Sequence, residues 1–188
     1  MATQRLQLLR NTPIFGALSE TALGFLLQDA QPVEVARGEY FFREGDAAQS
    51  LFVLEQGRVG IYKRWGNALY RLRCLDAGDC FGEMAVLDLL PRSASVRALR
   101  DCRALELTTG QLYALCKAQL AQYVILQMNI ARELSRRLRA ADQRAFSAAA
   151  QRGYLQPEQE RPGACGKRAR PRAVGLPEKP RETRCDTR

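Results

Sequence analysis

The stretch Phe81–Val96, FGEMAVLDLLPRSASV, decides how this 188-residue chain is read. A Phe-Gly-Glu turn leads into a short apolar run, and Pro91 closes that run ahead of Arg92-Ser93-Ala94. Pro-Arg-Ser-Ala stands where a short helical segment should stop and a strand begin. A strand, turn, short helix and strand in that order leave backbone N–H groups without partners at the helix start, beside Gly82. Arg92 adds a planar fork suited to the paired oxygens of a phosphate. Glu83 adds acceptors suited to a hydroxyl. One acid for a sugar hydroxyl and one arginine for a phosphate make a nucleotide site. The same two residues would equally make a surface ion pair with no ligand, and spacing alone leaves both readings open.

Outward from this stretch, the period of the apolar residues divides the chain into four segments. Residues 1–30 read as helical, with Ser19 capping ETALGFLLQDA and Ala22, Leu23, Leu26 and Leu27 at helical spacing. Residues 31–108 are short alternating runs broken by Gly38, Gly45, Gly57, Gly66 and Gly78, which predicts antiparallel strands. Residues 109–149 return to helical spacing. A short helix capped by Thr108 or Thr109 precedes a long one from about Leu120, with Leu120, Tyr123, Leu126, Ile130, Leu134, Leu138, Ala141 and Ala145 in one stripe. Arg132, Glu133, Arg136, Arg137, Arg139 and Arg144 lie off that stripe. The expected fold is mainly β with flanking helices: an antiparallel β jelly-roll sandwich or barrel, N-terminal helices and a long C-terminal helix. That helix is long enough to pack partly against a second copy of itself.

Residues 150–188 are different in kind. From residue 151 they hold five of the eight prolines and ten Lys/Arg against five Asp/Glu, with almost no apolar periodicity. Such a segment is expected to be disordered, a basic tail able to touch anionic surfaces. It carries +5 of the net +9, so the remaining 150 residues are only mildly basic, which argues against a DNA-reading face.

Composition removes several classes of function. Hydrophobic content of 46% and charged content of 26% are those of a globular protein. No apolar run is long enough for a membrane span, and the first twenty residues lack the apolar core of a signal peptide, so a cytoplasmic protein is expected. The chain has no histidine, which excludes Ser-His and Cys-His catalysis and the usual histidine-ligated metal sites. Six cysteines show no C-x-x-C spacing, so no metal cluster is expected. With no nucleophile or metal beside Glu83 and Arg92, an enzyme is not expected.

From about Ile14 to Phe146 the chain resembles the cyclic nucleotide-binding domain family. The resemblance is carried in order by RGEYFFREGDAAQSLFVLEQGRVGIYKR, by LDAGDCFGEMAVLDLLPRSASVRAL and by the terminal helix. In that family the second element is the phosphate-binding cassette, here residues 81–94, and its F-G-E-x-A with P-R-S-A is a specific match. The resemblance implies a regulatory ligand, cAMP or cGMP, with no metal. It implies that Glu83 binds the ribose 2′-hydroxyl, that Gly82 gives the backbone room and that Arg92 pairs with the cyclic phosphate. Backbone N–H groups of Ala85 and of Ser93 or Ala94 would cradle the phosphate, with Met84 part of the same binding turn and the Ser93 hydroxyl in reach of phosphate or purine. In the catabolite-activator class two hydroxyl residues follow an Arg-Arg-Leu on the long helix. Here Arg136-Arg137-Leu138 is followed by Ala141-Asp142, and Asp142 could accept from guanine N1–H and N2–H or from the adenine amino group.

The expected protein is a stand-alone cyclic nucleotide sensor. Its long helix, from Leu134 to Asp142, would close over the purine and pass binding on to a downstream effector or to a homodimer contact. Only thirty-nine residues follow Ala149 and no recognition helix fits among them, so no direct DNA binding is expected. A Crp/Fnr-like transcription regulator acting with a partner chain, and a degenerate scaffold that binds nothing, are the alternatives.

Overall fold

The structure is a computed structural model that describes residues 2–152; the basic tail expected from residue 150 lies, past Arg152, outside the described residues. The chain divides into two units, Met1–Ser147 and Ala148–Arg188. Of the second, only the end of a helix and Arg152 are described.

The N-terminal segment forms α1 (Ala2–Asn11), a 3-10 turn (Pro13–Phe15) and α2 (Glu20–Gln28). Ser19 is the α2 N-cap as its sequence position requires, its Oγ accepting from Ala22 N at 3.2 Å. Eight strands follow: β1 (Gln31–Val35), β2 (Tyr40–Phe42), β3 (Ser50–Gln56), β4 (Arg58–Trp65), β5 (Ala68–Asp76), β6 (Cys80–Phe81), β7 (Ser95–Ala98) and β8 (Cys102–Thr108). A five-residue helix, α3 (Met84–Asp88), interrupts them between β6 and β7. The chain then turns into α4 (Thr109–Ala118) and α5 (Leu120–Gln151). Thr108 caps α4 with a complete capping box to Gln111.

The strands form two four-stranded antiparallel sheets, ordered β1-β8-β3-β6 and β2-β7-β4-β5. The sandwich form of the expected fold is therefore present, and among the described residues no ladder joins the two sheets into a closed barrel. The chain changes sheets between β3 and β4 at Gly57, where φ is +98° and a Cβ would stand 2.4 Å from the Asp101 carbonyl oxygen. Only glycine makes that corner.

Burial explains the apolar pattern. Phe52, Leu54, Phe81 and Ala104 of the first sheet meet Val59, Ile61, Leu75 and Val96 of the second in one core. The opposite face of the first sheet, through Leu51, Val53, Leu105 and Leu107, packs on the helices. The first sheet is covered on both sides, so β3 reads as an unbroken run, SLFVL. The second sheet has no helix layer, and β5 is exposed along most of its length.

The stripe expected on α5 splits in two. Tyr123, Leu126, Ile130 and Leu134 pack into the helix-covered core, while Leu120 and Leu138 are exposed. Val124, Met128 and Phe146 join them as exposed apolar residues. From Leu138 to Phe146 the apolar residues of the helix are exposed rather than packed into the core that its first half covers.

Candidate nucleotide site

A cavity of about 550 Å³ opens between the second sheet, the 81–94 segment and α5. It lies against the core and has the size of a small-molecule site. Gly82, Glu83, Met84, Ala85, Arg92, Ser93 and Ala94, seven of the eight residues singled out in the sequence, all line it. β6 delivers Phe81, the turn after it delivers Glu83, and α3 with its following loop returns the chain to Arg92, three residues ahead of β7.

Arg92 is the most constrained group in this wall. It is 5% exposed, and its guanidinium lies 4.0 Å above the Phe42 ring centroid. Nη1 donates to the Ser50 carbonyl at 2.6 Å and to the Gly82 carbonyl at 3.1 Å, and Nη2 donates to Ser50 Oγ at 3.1 Å. Nε is buried with no partner, and no carboxylate pairs with the guanidinium among the described residues. Burial lowers its pKa, and the more distant carboxylates of Glu106, Asp46 and Glu83 only partly offset this. An unpaired charge in such a place costs stability unless something else supplies the counter-charge.

Glu83 stands at the other side of the cavity floor, 2% exposed. Its Oε1 accepts from Arg137 Nη1 on α5. Arg137 also donates to Glu133 Oε1 at 2.8 Å and to the Cys80 carbonyl at 3.1 Å. Desolvation works against the Arg137 charge, but Glu83, Cys80 and Glu133 outweigh it and push its pKa up. Behind the pair, burial first and then the Glu83 charge push the Cys80 thiol up to about 12, so it stays protonated and unreactive near neutral pH.

Arg137 was placed off the apolar stripe and not singled out, yet it lines the cavity. A half-buried ion pair between residues 54 positions apart has no local signature. Arg73 of β5, Ser135 and Arg144 of α5 also line the cavity and were not singled out. Arg73 is half-buried, without an ion-pair partner among the described residues. Burial and the like charge of Arg137 lower its pKa. Alternation along an exposed edge strand could have flagged Arg73; nothing local flags Arg144.

Asp142 does not join them. It is exposed and absent from the lining, although Ala141 and Arg144 are part of it. Leu134, Leu138 and Ala141 recur at helical spacing on the cavity side of α5, and one more residue turns Asp142 about 100° away. Asp142 therefore stands apart from the wall that the other seven residues share.

Residues 32–119 match the family described as cyclic nucleotide-binding domain. The Thermus thermophilus cyclic AMP receptor protein is 31% identical over 135 residues, 71% of this chain and 61% of its own length. A Toxoplasma gondii cGMP-dependent protein kinase is 37% identical over 91 residues, 48% of this chain and 9% of its own length. The crystal structure of the Thermus thermophilus catabolite activator protein superposes with a TM-score of 0.64 at 30% identity, covering 73% of this chain and 63% of that one. The chain thus spans about six-tenths of the cyclic AMP receptor it matches. The cassette, the sandwich around it and these likenesses agree, and residues 32–119 of the chain are a domain of the cyclic nucleotide-binding family.

Proposed function

We propose that this chain is a sensor that binds a cyclic mononucleotide in the cavity and reports the binding through α5. The observation that carries the reading is Arg92, a buried guanidinium with an orphaned Nε and no carboxylate partner among the described residues, at the edge of an open cavity. A cyclic phosphate supplies the missing charge and accepts from the free donor. The ribose 2′-hydroxyl then donates to Glu83, with Gly82, Met84 and Ala85 forming the turn beneath it and Ser93 and Ala94 facing the phosphate.

Arg73 supports cGMP over cAMP. A guanidinium matches the two acceptors of guanine, O6 and N7, whereas adenine sets its amino donor beside N7. Arg73 has no carboxylate to satisfy and faces the same cavity as Arg137. Signal transfer is supported by the wall that α5 contributes: Leu134, Ser135, Arg137, Leu138 and Ala141 all line the cavity. A nucleotide that contacts them shifts the helix only as far as its affinity differs between helix positions. The exposed row Leu120, Val124 and Met128 supports a homodimer along α5 as the first receiver of that shift.

Titration calorimetry with cAMP and cGMP tests this. Wild-type protein is expected to bind, and Arg92→Ala to lose on the order of tenfold to hundredfold in affinity, the worth of one charge-assisted contact. Arg73→Ala should narrow the preference for cGMP. No heat with either nucleotide, in folded protein free of co-purified ligand, overturns the sensor reading. Equal affinities in wild type overturn the role of Arg73 alone.

A further inference from the structure

From Val59 to Leu75 the sequence contains no Asp or Glu, but carries Lys63, Arg64, Arg71 and Arg73. These residues belong to the β4–β5 hairpin, whose outer part has neither face covered by the described residues: every residue from Lys63 to Leu72 is exposed. A ribbon wet on both faces should be polar. This one carries Trp65, Leu69, Tyr70 and Leu72 as exposed apolar side chains, and Trp65, the sole tryptophan of the chain, is 80% exposed.

The register sorts these residues by distance from the tip. Trp65 pairs with Ala68 around the Gly66-Asn67 turn, followed inward by Arg64 with Leu69, Lys63 with Tyr70 and Tyr62 with Arg71. At about 3.4 Å per residue, Trp65 leads, Arg64 and Leu69 follow one step behind, and Arg71 stands three steps behind. Lys63 is partly engaged, pairing with Glu44 and donating to the Ser93 carbonyl, both at 2.7 Å. Arg64 and Arg71 have no ion-pair partner among the described residues.

We propose that this hairpin tip docks on an anionic lipid surface. Trp65 and Leu69 enter the boundary between headgroups and acyl chains, where indole rings are favoured, and Tyr70 sits at headgroup level. Arg64 and Arg71, one to three residues further back, extend toward lipid phosphates while their stems stay with the apolar groups. The association is peripheral, since no described helix is long and apolar enough to cross a membrane. A single-stranded nucleic acid fits less well: its phosphates would need cations along a track, and Leu69 and Leu72 offer no face on which a base stacks. The proposal is independent of the nucleotide reading.

The full chain reports on this directly, because Trp65 is its only indole. Fluorescence is followed while vesicles of phosphatidylcholine, alone or mixed with phosphatidylserine, are added, and co-sedimentation is measured in parallel. A blue shift and co-sedimentation with the mixed vesicles, weakened by salt and absent with phosphatidylcholine alone, are expected. The double variant Arg64→Gln/Arg71→Gln should bind mixed vesicles on the order of twentyfold more weakly, about fivefold for each cation. Trp65→Ala should lose co-sedimentation. Absence of a shift overturns the proposal, as does a shift that follows protein concentration without vesicles, which assigns the ribbon to a second copy. A shift with single-stranded oligonucleotide and none with vesicles assigns it to nucleic acid. Vesicle binding that survives the double variant but disappears on removing 153–188 assigns it to the tail.

Discussion

Replacing Gly82 by alanine probes the contact that sets Arg92 in place. Gly82 has φ of +82°, a conformation that costs an L-residue about 1–2 kcal/mol. A Cβ built there stands 2.5 Å from Arg92 Nη1 and 3.4 Å from the Ser50 carbonyl oxygen. The end of an exposed arginine would swing aside at little cost. This one is stacked on Phe42, and its Nη1 is held by the Ser50 and Gly82 carbonyls. Moving it to ordinary contact distance breaks at least one hydrogen bond of a charged donor, worth about 1.5–3 kcal/mol. The two terms together come to about 2.5–5 kcal/mol, a large part of the 5–15 kcal/mol typical of a domain, so a folded but weakened variant is expected. Urea unfolding without ligand reads this as a lower midpoint at unchanged slope. Because the displaced guanidinium is the proposed phosphate partner, calorimetry on the same sample should show weakened nucleotide binding. A loss below about 1 kcal/mol with affinity retained refutes the reasoning: the backbone would then relax at no more than the conformational cost, and Gly82 would not position Arg92.

Arg137→Gln should cost about 3–5 kcal/mol in urea unfolding, because Glu83 is left charged and buried. Adding Glu83→Gln should recover much of that loss; a double variant no more stable than Arg137→Gln would show that the pair is not coupled. The Cys80 thiol holds its proton to about pH 12 in the folded chain, against 9.0 as the ordinary value. Its contribution to stability is therefore complete below pH 9 and is lost as pH rises from there through 12, by about 1.4 kcal/mol per unit. Cys80→Ala should remove that slope, seen as a wild-type-minus-variant difference in urea midpoints that shrinks between about pH 8 and about pH 10; a constant difference refutes it. Met128→Glu, on the exposed row of α5, should sediment as a folded monomer where wild type sediments as a dimer, and a variant that remains dimeric rules out that row as the contact.

Much of the site was legible because it is local. Glu83 and Arg92 are nine residues apart on one continuous segment, and a turn, a five-residue helix and a loop suffice to bring Gly82 through Ala94 to one wall. Ser19 was legible as a cap for the same reason, and the cap of α4 was narrowed to Thr108 or Thr109: Ser19 and Thr108 each satisfy an amide three residues ahead. The face of a long helix is less readable. Along α5 the apolar residues are frequent enough to fit more than one stripe, and which one is covered depends on where the sheet ends beneath it. Which of Asp142 and Arg137 meets the cavity was not legible for that reason. The first lies one residue past the cavity face, and the second is drawn inward by a carboxylate on a distant turn.

Alternation, glycine turns and the 81–96 segment were enough to determine from sequence an antiparallel β fold flanked by helices, with an acid and an arginine suited to a nucleotide. These depend on backbone geometry and on neighbours within one or two turns of chain, which composition and spacing express directly. Only the tertiary structure decided that, among the described residues, the β strands form two sheets and no barrel, Arg92 is buried without a counter-charge, Arg73 and Arg137 share its cavity, and the β4–β5 hairpin stands bare. Each of those depends on which surfaces meet across long separations. The burial of a charge is set by everything that surrounds it in space, and no stretch of sequence contains its own surroundings.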